Sequence, residues 1–267
     1  MILPLIVHGA IYILIGVFAG LMAGLFGVGG GLIVVPGLVF VFQQTQIIPD
    51  NLIMYVAAGT SLAAMIITSQ ASVKAHHTLG TILWPVFNKL WPSLVVGTLL
   101  GSIIASWIPT HWLKILFAFF LLSVALKMLT DKQIVRPEHF PKNWINRLVN
   151  FLIGINSGLL GVGGGILIVP YLAYCGIDIR KIPAVSNLCA LSIAVVGTLA
   201  FMVTGYYETT SIAYMTGYIF WPAVLLIGIP SSLLAPVGAR LSYQLPVRQL
   251  KYGFIVILIL TALKMLF

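Results

Sequence analysis

Two short stretches place glycine where it can do chemistry. Gly27-Val28-Gly29-Gly30-Gly31 and Gly161-Val162-Gly163-Gly164-Gly165 each follow one apolar run and lead straight into another. Glycine accepts positive φ and lets a ligand approach the backbone closely. A helix that starts at such a stretch leaves its first amide N–H groups unpaired, with the positive end of its dipole beside them. That combination binds anions. The expected binding set is therefore Gly27, Gly29, Gly30 and Gly31 with Gly161, Gly163, Gly164 and Gly165. The competing reading is that these glycines only let helices approach one another, as small residues do in membranes.

Polar side chains that could complete such a site stand in apolar surroundings. Thr60-Ser61 and Ser186-Asn187 sit early in the third apolar run of each half, and Asn156-Ser157 precede the second glycine stretch. Each could hydrogen-bond a ligand oxygen, or instead bond another helix. Lys74, His76 and His77 form a basic cluster that could line a vestibule and attract anions, or simply anchor the end of the span at the interface. Adjacent histidines diverge by about 100° on a helix, so the pair makes a poor shared metal site. Cys175 and Cys189 match no metal or redox spacing and read as packing thiols. No nucleophile with a base and no cluster of metal ligands lies within an apolar run. Neither an enzyme, a metal centre nor a bound cofactor is expected.

With its paired Gly-Val-Gly-Gly-Gly stretches, the downstream prolines Pro36 and Pro170, and the blocks Thr60-Ser61-Leu62 and Ser186-Asn187-Leu188, the sequence resembles the TauE/SafE sulfite exporter family over nearly its whole length. The resemblance implies an inner-membrane permease for sulfite, organosulfonates or related sulfur-containing anions.

These residues must be positioned by elements that live in lipid. Of 267 residues 60% are hydrophobic and 7% charged, and mean hydropathy is +1.11, which excludes a soluble globular domain. The net charge of +9 falls between apolar runs, so it reads as a topology signal and not as a nucleic-acid surface. The expected partners are the lipid bilayer and a small anion, with the oligomeric state left open. The first run has no Lys or Arg before it and no small-residue cleavage signature after it, so it is expected to remain in the protein. All five acids fall in loops or at run ends, which disfavours cation transport.

Ten apolar runs are expected, near residues 3–26, 32–42, 52–73, 82–107, 112–129, 148–160, 166–175, 182–204, 212–237 and 250–267. They form one domain, 1–267, made of a repeat over 1–130, a linker over 131–143 and a second repeat over 144–267. The glycine stretches align at an offset of 134, and Gly80, Trp84-Pro85, Gly101 and Lys114 match Gly217, Trp221-Pro222, Gly238 and Lys251 at an offset of 137. Such self-similarity indicates an internal repeat. If each glycine stretch is the tip of a hairpin, one membrane face receives Lys74, Lys89, Lys127, Lys132, Arg136, Lys142, Arg147, Arg180, Lys181, Arg240, Arg248 and Lys251. The other face receives Lys114 and Lys264, a split of 12 to 2; the alternative in which each stretch lies within a single crossing gives 8 to 6. The positive-inside rule favours the hairpins.

Five segments per half then make the repeats inverted, with both termini outside the cytoplasm. The expected fold is an all-α polytopic membrane protein with two inverted repeats, each a glycine-tipped half-helix hairpin plus three spanning helices. Ser231 lies on an ordinary span away from both tips. The expected function is transport of a small anion bound at midplane between the tips, with a passive anion channel as the alternative. Export down a negative-inside potential gains about 2.3 kcal/mol per charge per 100 mV, so it needs no coupling ion.

Overall fold

The computed structural model describes residues 2–78, 80–130, 139–178, 180–210 and 212–241, with 255, 256, 258–260, 262 and 263 beyond. Among them run α1 (Ile2–Phe26), α2 (Gly31–Thr45), α3 (Ile53–Thr78), α4 (Trp84–Ala105), α5 (Thr110–Thr130), α6 (Asn143–Leu160), α7 (Gly165–Tyr174), α8 (Ile182–Thr204) and α9 (Trp221–Leu241). Five are long and apolar enough to cross a membrane: α1 over Gly9–Phe26, α3, α4, α8 and α9. Most of the linker and most of the last apolar run lie outside the described residues.

An α-helix satisfies the backbone groups of such a run from within the run itself, as lipid requires. Glycine and proline punctuate them. Gly30 and Gly164 stand just before α2 and α7 at φ +82° and +66°, the left-handed region that breaks α1 from α2 and α6 from α7. Pro36 and Pro170 each sit at the sixth residue of the following helix. Two expectations need correction. First, α2 runs on through Gln43 and Gln44 to Thr45, 15 residues where the apolar run suggested 11, because a polar residue stops an apolar count without stopping a helix. At 1.5 Å per residue it is about 22 Å long, against about 15 Å for the 10-residue α7. Second, the apolar run over 212–237 does not begin as helix. Met215–Thr216 and Ile219–Phe220 pair antiparallel around Gly217 at φ +56°, and α9 starts only at Trp221. Tyr218 in that turn is fully buried and donates to Glu208 Oε2 at 2.8 Å.

The halves interlock. An ideal Cβ on Gly20 would lie 2.3 Å from the Ser231 carbonyl and one on Gly24 2.1 Å from that of Ala235, so α1 packs backbone to backbone on α9. In the same way Gly154 would meet the Leu94 carbonyl at 2.3 Å and Gly158 that of Thr98 at 2.3 Å, seating α6 on α4. These pairs repeat at the offsets of 134 and 137 seen in the sequence. Residue numbers rise together along α1 and α9 and along α4 and α6, so both pairs are parallel. α3 lies alongside α9, with Ile67 at Gly228 and Thr68 hydrogen-bonded to Ser231, and runs against α8, with Gly59 at Phe201 and Leu62 at Gly197. α3 and α8 form the centre, and α3 is the most enclosed span, 72% of it buried.

The candidate anion site at the glycine tips

The two glycine stretches meet. An ideal Cβ on Gly29 would lie 3.6 Å from the Gly163 Cα, and one on Gly163 the same distance from the Gly29 Cα. Each tip also rests against the helix start of the other hairpin: a Cβ on Gly31 would lie 2.9 Å from the Gly161 carbonyl, and one on Gly165 2.2 Å from that of Gly27. Gly27 and Gly161, at φ +69° and +71°, are further hemmed by Pro183 at 2.7 Å and Ala58 at 2.4 Å. Close packing therefore demands glycine at Gly27, Gly31, Gly161 and Gly165. At Gly29 and Gly163 the nearest atoms belong instead to side chains, Met65 Cε at 2.7 and 2.1 Å and Ala190 Cβ at 3.2 and 3.1 Å.

The amides of Gly29, Gly30 and Gly31, and of Gly163, Gly164 and Gly165, donate no hydrogen bond among the described residues, since the first bonds of α2 and α7 begin at Ile33 and Leu167. Neither helix start has a side-chain cap. Six N–H groups without partners thus lie at two helix starts that abut, and Met65 of α3 sits against Gly29, Gly31 and Gly163. Such a concentration of unpaired buried donors is costly without a partner of negative charge.

The sequence-selected side chains divide. Ser186 Oγ donates to the Gly27 carbonyl at 2.6 Å, and Asn187 Nδ2 donates to the Ala23 carbonyl at 3.2 Å and to that of Pro183 at 2.9 Å, so α8 pins the first tip. Asn187 Oδ1 is buried without a partner. Thr60 turns away from the tips: its Oγ1 accepts from the Phe220 amide at 3.0 Å and holds the short hairpin. Ser61 is fully buried and its Oγ is unpartnered. Ser157 donates to the Ile153 carbonyl at 2.6 Å, yet its Oγ would lie 2.8 Å from a Cβ on Gly164, so it borders the second tip. Asn156 is half-buried one residue earlier.

The basic cluster also divides. Lys74 and His77 are exposed at the end of α3, whereas His76 is fully buried. Its neighbour across the gap is the Gly24 carbonyl of α1, and neither ring nitrogen completes a hydrogen bond. Ser231 is not a bland position, being fully buried and hydrogen-bonded to Thr68 and to the Gly228 carbonyl. Sequence reasoning passed over Met65. Its signal was spacing: four residues after Ser61, it stands on the same face of α3.

Long apolar helices packed around two helical hairpins with abutting glycine tips define a polytopic membrane protein. The chain belongs to the sulfite exporter TauE/SafE family, whose model matches residues 12–265. It is 34% identical over 256 residues to a Haemophilus influenzae protein named "Probable membrane transporter protein", covering 95% of this chain and 96% of that one. A protein of Methanocaldococcus jannaschii with a name of the same form is 30% identical over 90% of this chain and 88% of its own. One from Xylella fastidiosa is 31% identical over 72% of this chain and 71% of its own. No solved structure matches. The protein is thus a member of a membrane transporter family.

Proposed function

We propose that the protein carries small sulfur-containing anions, sulfite or an organosulfonate, across the inner membrane, binding them between the two glycine tips. The observation that carries this reading is the meeting of Gly29 with Gly163 against Met65, at two helix starts whose six glycine amides have no partner among the described residues. A tetrahedral or pyramidal oxoanion offers several acceptor oxygens to such donors, and the two helix starts favour its charge. Met65 sits against both tips here. Its unbranched side chain has the rotatable bonds needed to move aside and admit an anion between the tips.

The reading includes inverted repeats with both termini outside the cytoplasm. Supporting it, α1 and α6, the first helices of the two halves, run in opposite directions, because α1, α3 and α9 run against α8 and α4. Tyr55, at the start of α3, bonds the carbonyl of Ile108 just past the end of α4. That sense of direction gathers Lys74, Lys89, Lys142, Arg147, Arg180, Lys181 and Arg240 at one end of the bundle, the end expected in the cytoplasm.

Flux into proteoliposomes tests the function. Purified protein should move sulfite or a small sulfonate with saturation, and an anion trapped inside should accelerate entry of labelled anion. Non-saturating flux without such counterflow would make it a channel, and no flux for any sulfur oxoanion would refute the substrate class.

A further inference from the structure

The tips lie deep in the bundle, so an anion needs a way to them. Beyond Met65, one face of α3 carries Thr68, Ser69, Ser72 and His76. With Ser61 and Met65 these fall within about 100° of arc on a helix of 3.6 residues per turn. All are buried. Thr68 reaches back to the Ala64 carbonyl and across to Ser231, as serine and threonine usually do in membrane helices. Ser69 and Ser72 do neither: their hydroxyls, and both ring nitrogens of His76, have no hydrogen-bond partner. Met65 and His76 are 11 residues apart, about 16 Å along the axis, or half the thickness of the hydrocarbon layer. The stripe ends beside Lys74 and His77, which occupy the exposed side of the same turns.

Unpartnered hydroxyls and an unpartnered imidazole are costly in a closed apolar interior. A lone one can be a packing accident. Three groups in register on one face, starting at the candidate binding point and ending at the basic end of the bundle, call for a partner supplied in another state. We infer that this face of α3 is the inner half of the permeation route, closed here and lined by Ser69 and Ser72, with His76 as the residue that shuts its mouth. The occupant is the hydrated small anion. The inference rests on the tips being an anion site, but the route can be tested without flux.

Full-length protein in membranes carrying Ser69→Cys, Ser72→Cys or Ala63→Cys is treated with sulfonatoethyl methanethiosulfonate, a small negatively charged thiol reagent. Reaction is scored above that of the unsubstituted chain, whose Cys175 and Cys189 are both buried. Ala63 is equally buried but lies on the opposite face of α3, against Ile219 and Val224. Ser69→Cys and Ser72→Cys should react at least tenfold faster than Ala63→Cys, and adding His76→Ala should speed them further while His76→Gln does so less. Equal, slow labelling of all three, with or without His76→Ala, overturns the route. Fast labelling in a protein that moves no sulfur oxoanion keeps the route and removes the proposed substrate. Flux with no labelling keeps the substrate and removes the route.

Discussion

Gly163→Ala separates a binding role at the tips from a packing role. Gly163 has no positive φ, so alanine suffers no backbone strain there, and the tight contacts of its Cβ are with side chains, Met65 Cε at 2.1 Å and Ala190 Cβ at 3.1 Å, the Gly29 Cα lying at an ordinary 3.6 Å. Met65 must retreat by about 1.5 Å to restore ordinary carbon contact near 3.6 Å. For a flexible side chain that costs about 1 kcal/mol, of the order of one off-rotamer torsion. Folding should therefore lose only about 1 kcal/mol, read as a small drop in thermal midpoint of the purified protein. Transport should fall far more, at least tenfold, because the new methyl stands where an anion meets the backbone. Adding Met65→Ala to Gly163→Ala removes the clash, restores stability and leaves transport low. Normal flux in Gly163→Ala would refute the binding role, and full recovery of flux in the double variant would show that the glycine serves only to admit Met65.

The partner Gly29→Ala should be the less stable of the two by about 1–2 kcal/mol, since Gly29 sits at φ +75°; thermal unfolding of the two variants side by side checks this. Ser186→Ala removes the 2.6 Å bond to the Gly27 carbonyl and should lower stability by about 1 kcal/mol, measured the same way, whereas an unchanged midpoint would mean the bond does not hold the tip. Neutralising Lys74 or His77 should slow anion entry at low salt and have no effect at high salt, because exposed charges only steer encounters. Replacing His76 should alter flux equally at both ionic strengths, and a loss of its effect at high salt would return it to the surface cluster. A reporter fused after Phe267 should be active only outside the cytoplasm.

The two glycine breaks were legible because left-handed backbone within an apolar chain leaves glycine as almost the sole choice, at Gly30 and again at Gly164. The hairpin partners could be paired by offset, but not the contacts between halves: nothing in the sequence of α1 names α9 as its neighbour. Thr60 and Ser61 looked like one polar block, yet neighbours on a helix diverge by about 100°, so Thr60 serves Phe220 while Ser61 shares the face of Met65. The same geometry split His76 from His77. Reading α3 at helical spacing, from Ser61 through Ser72 to His76, would have found the buried stripe. The short hairpin over 215–220 escaped because its residues are as apolar as the helix that follows.

The exchange of helices between halves also has a consequence for how the chain is made. The face of α1 that carries Gly16, Gly20 and Gly24 fits Ile227, Ser231 and Ala235, which leave the ribosome roughly two hundred residues later, about 10–40 s at ordinary synthesis rates. Through that interval α1 is in the bilayer with its closest-fitting partner unmade. The second half meets no such delay, since α4 is already present when α6 emerges. α9 thus completes α1, and a ribosome that stalls inside α9 leaves behind a protein in which the glycine face of α1 has not met its partner.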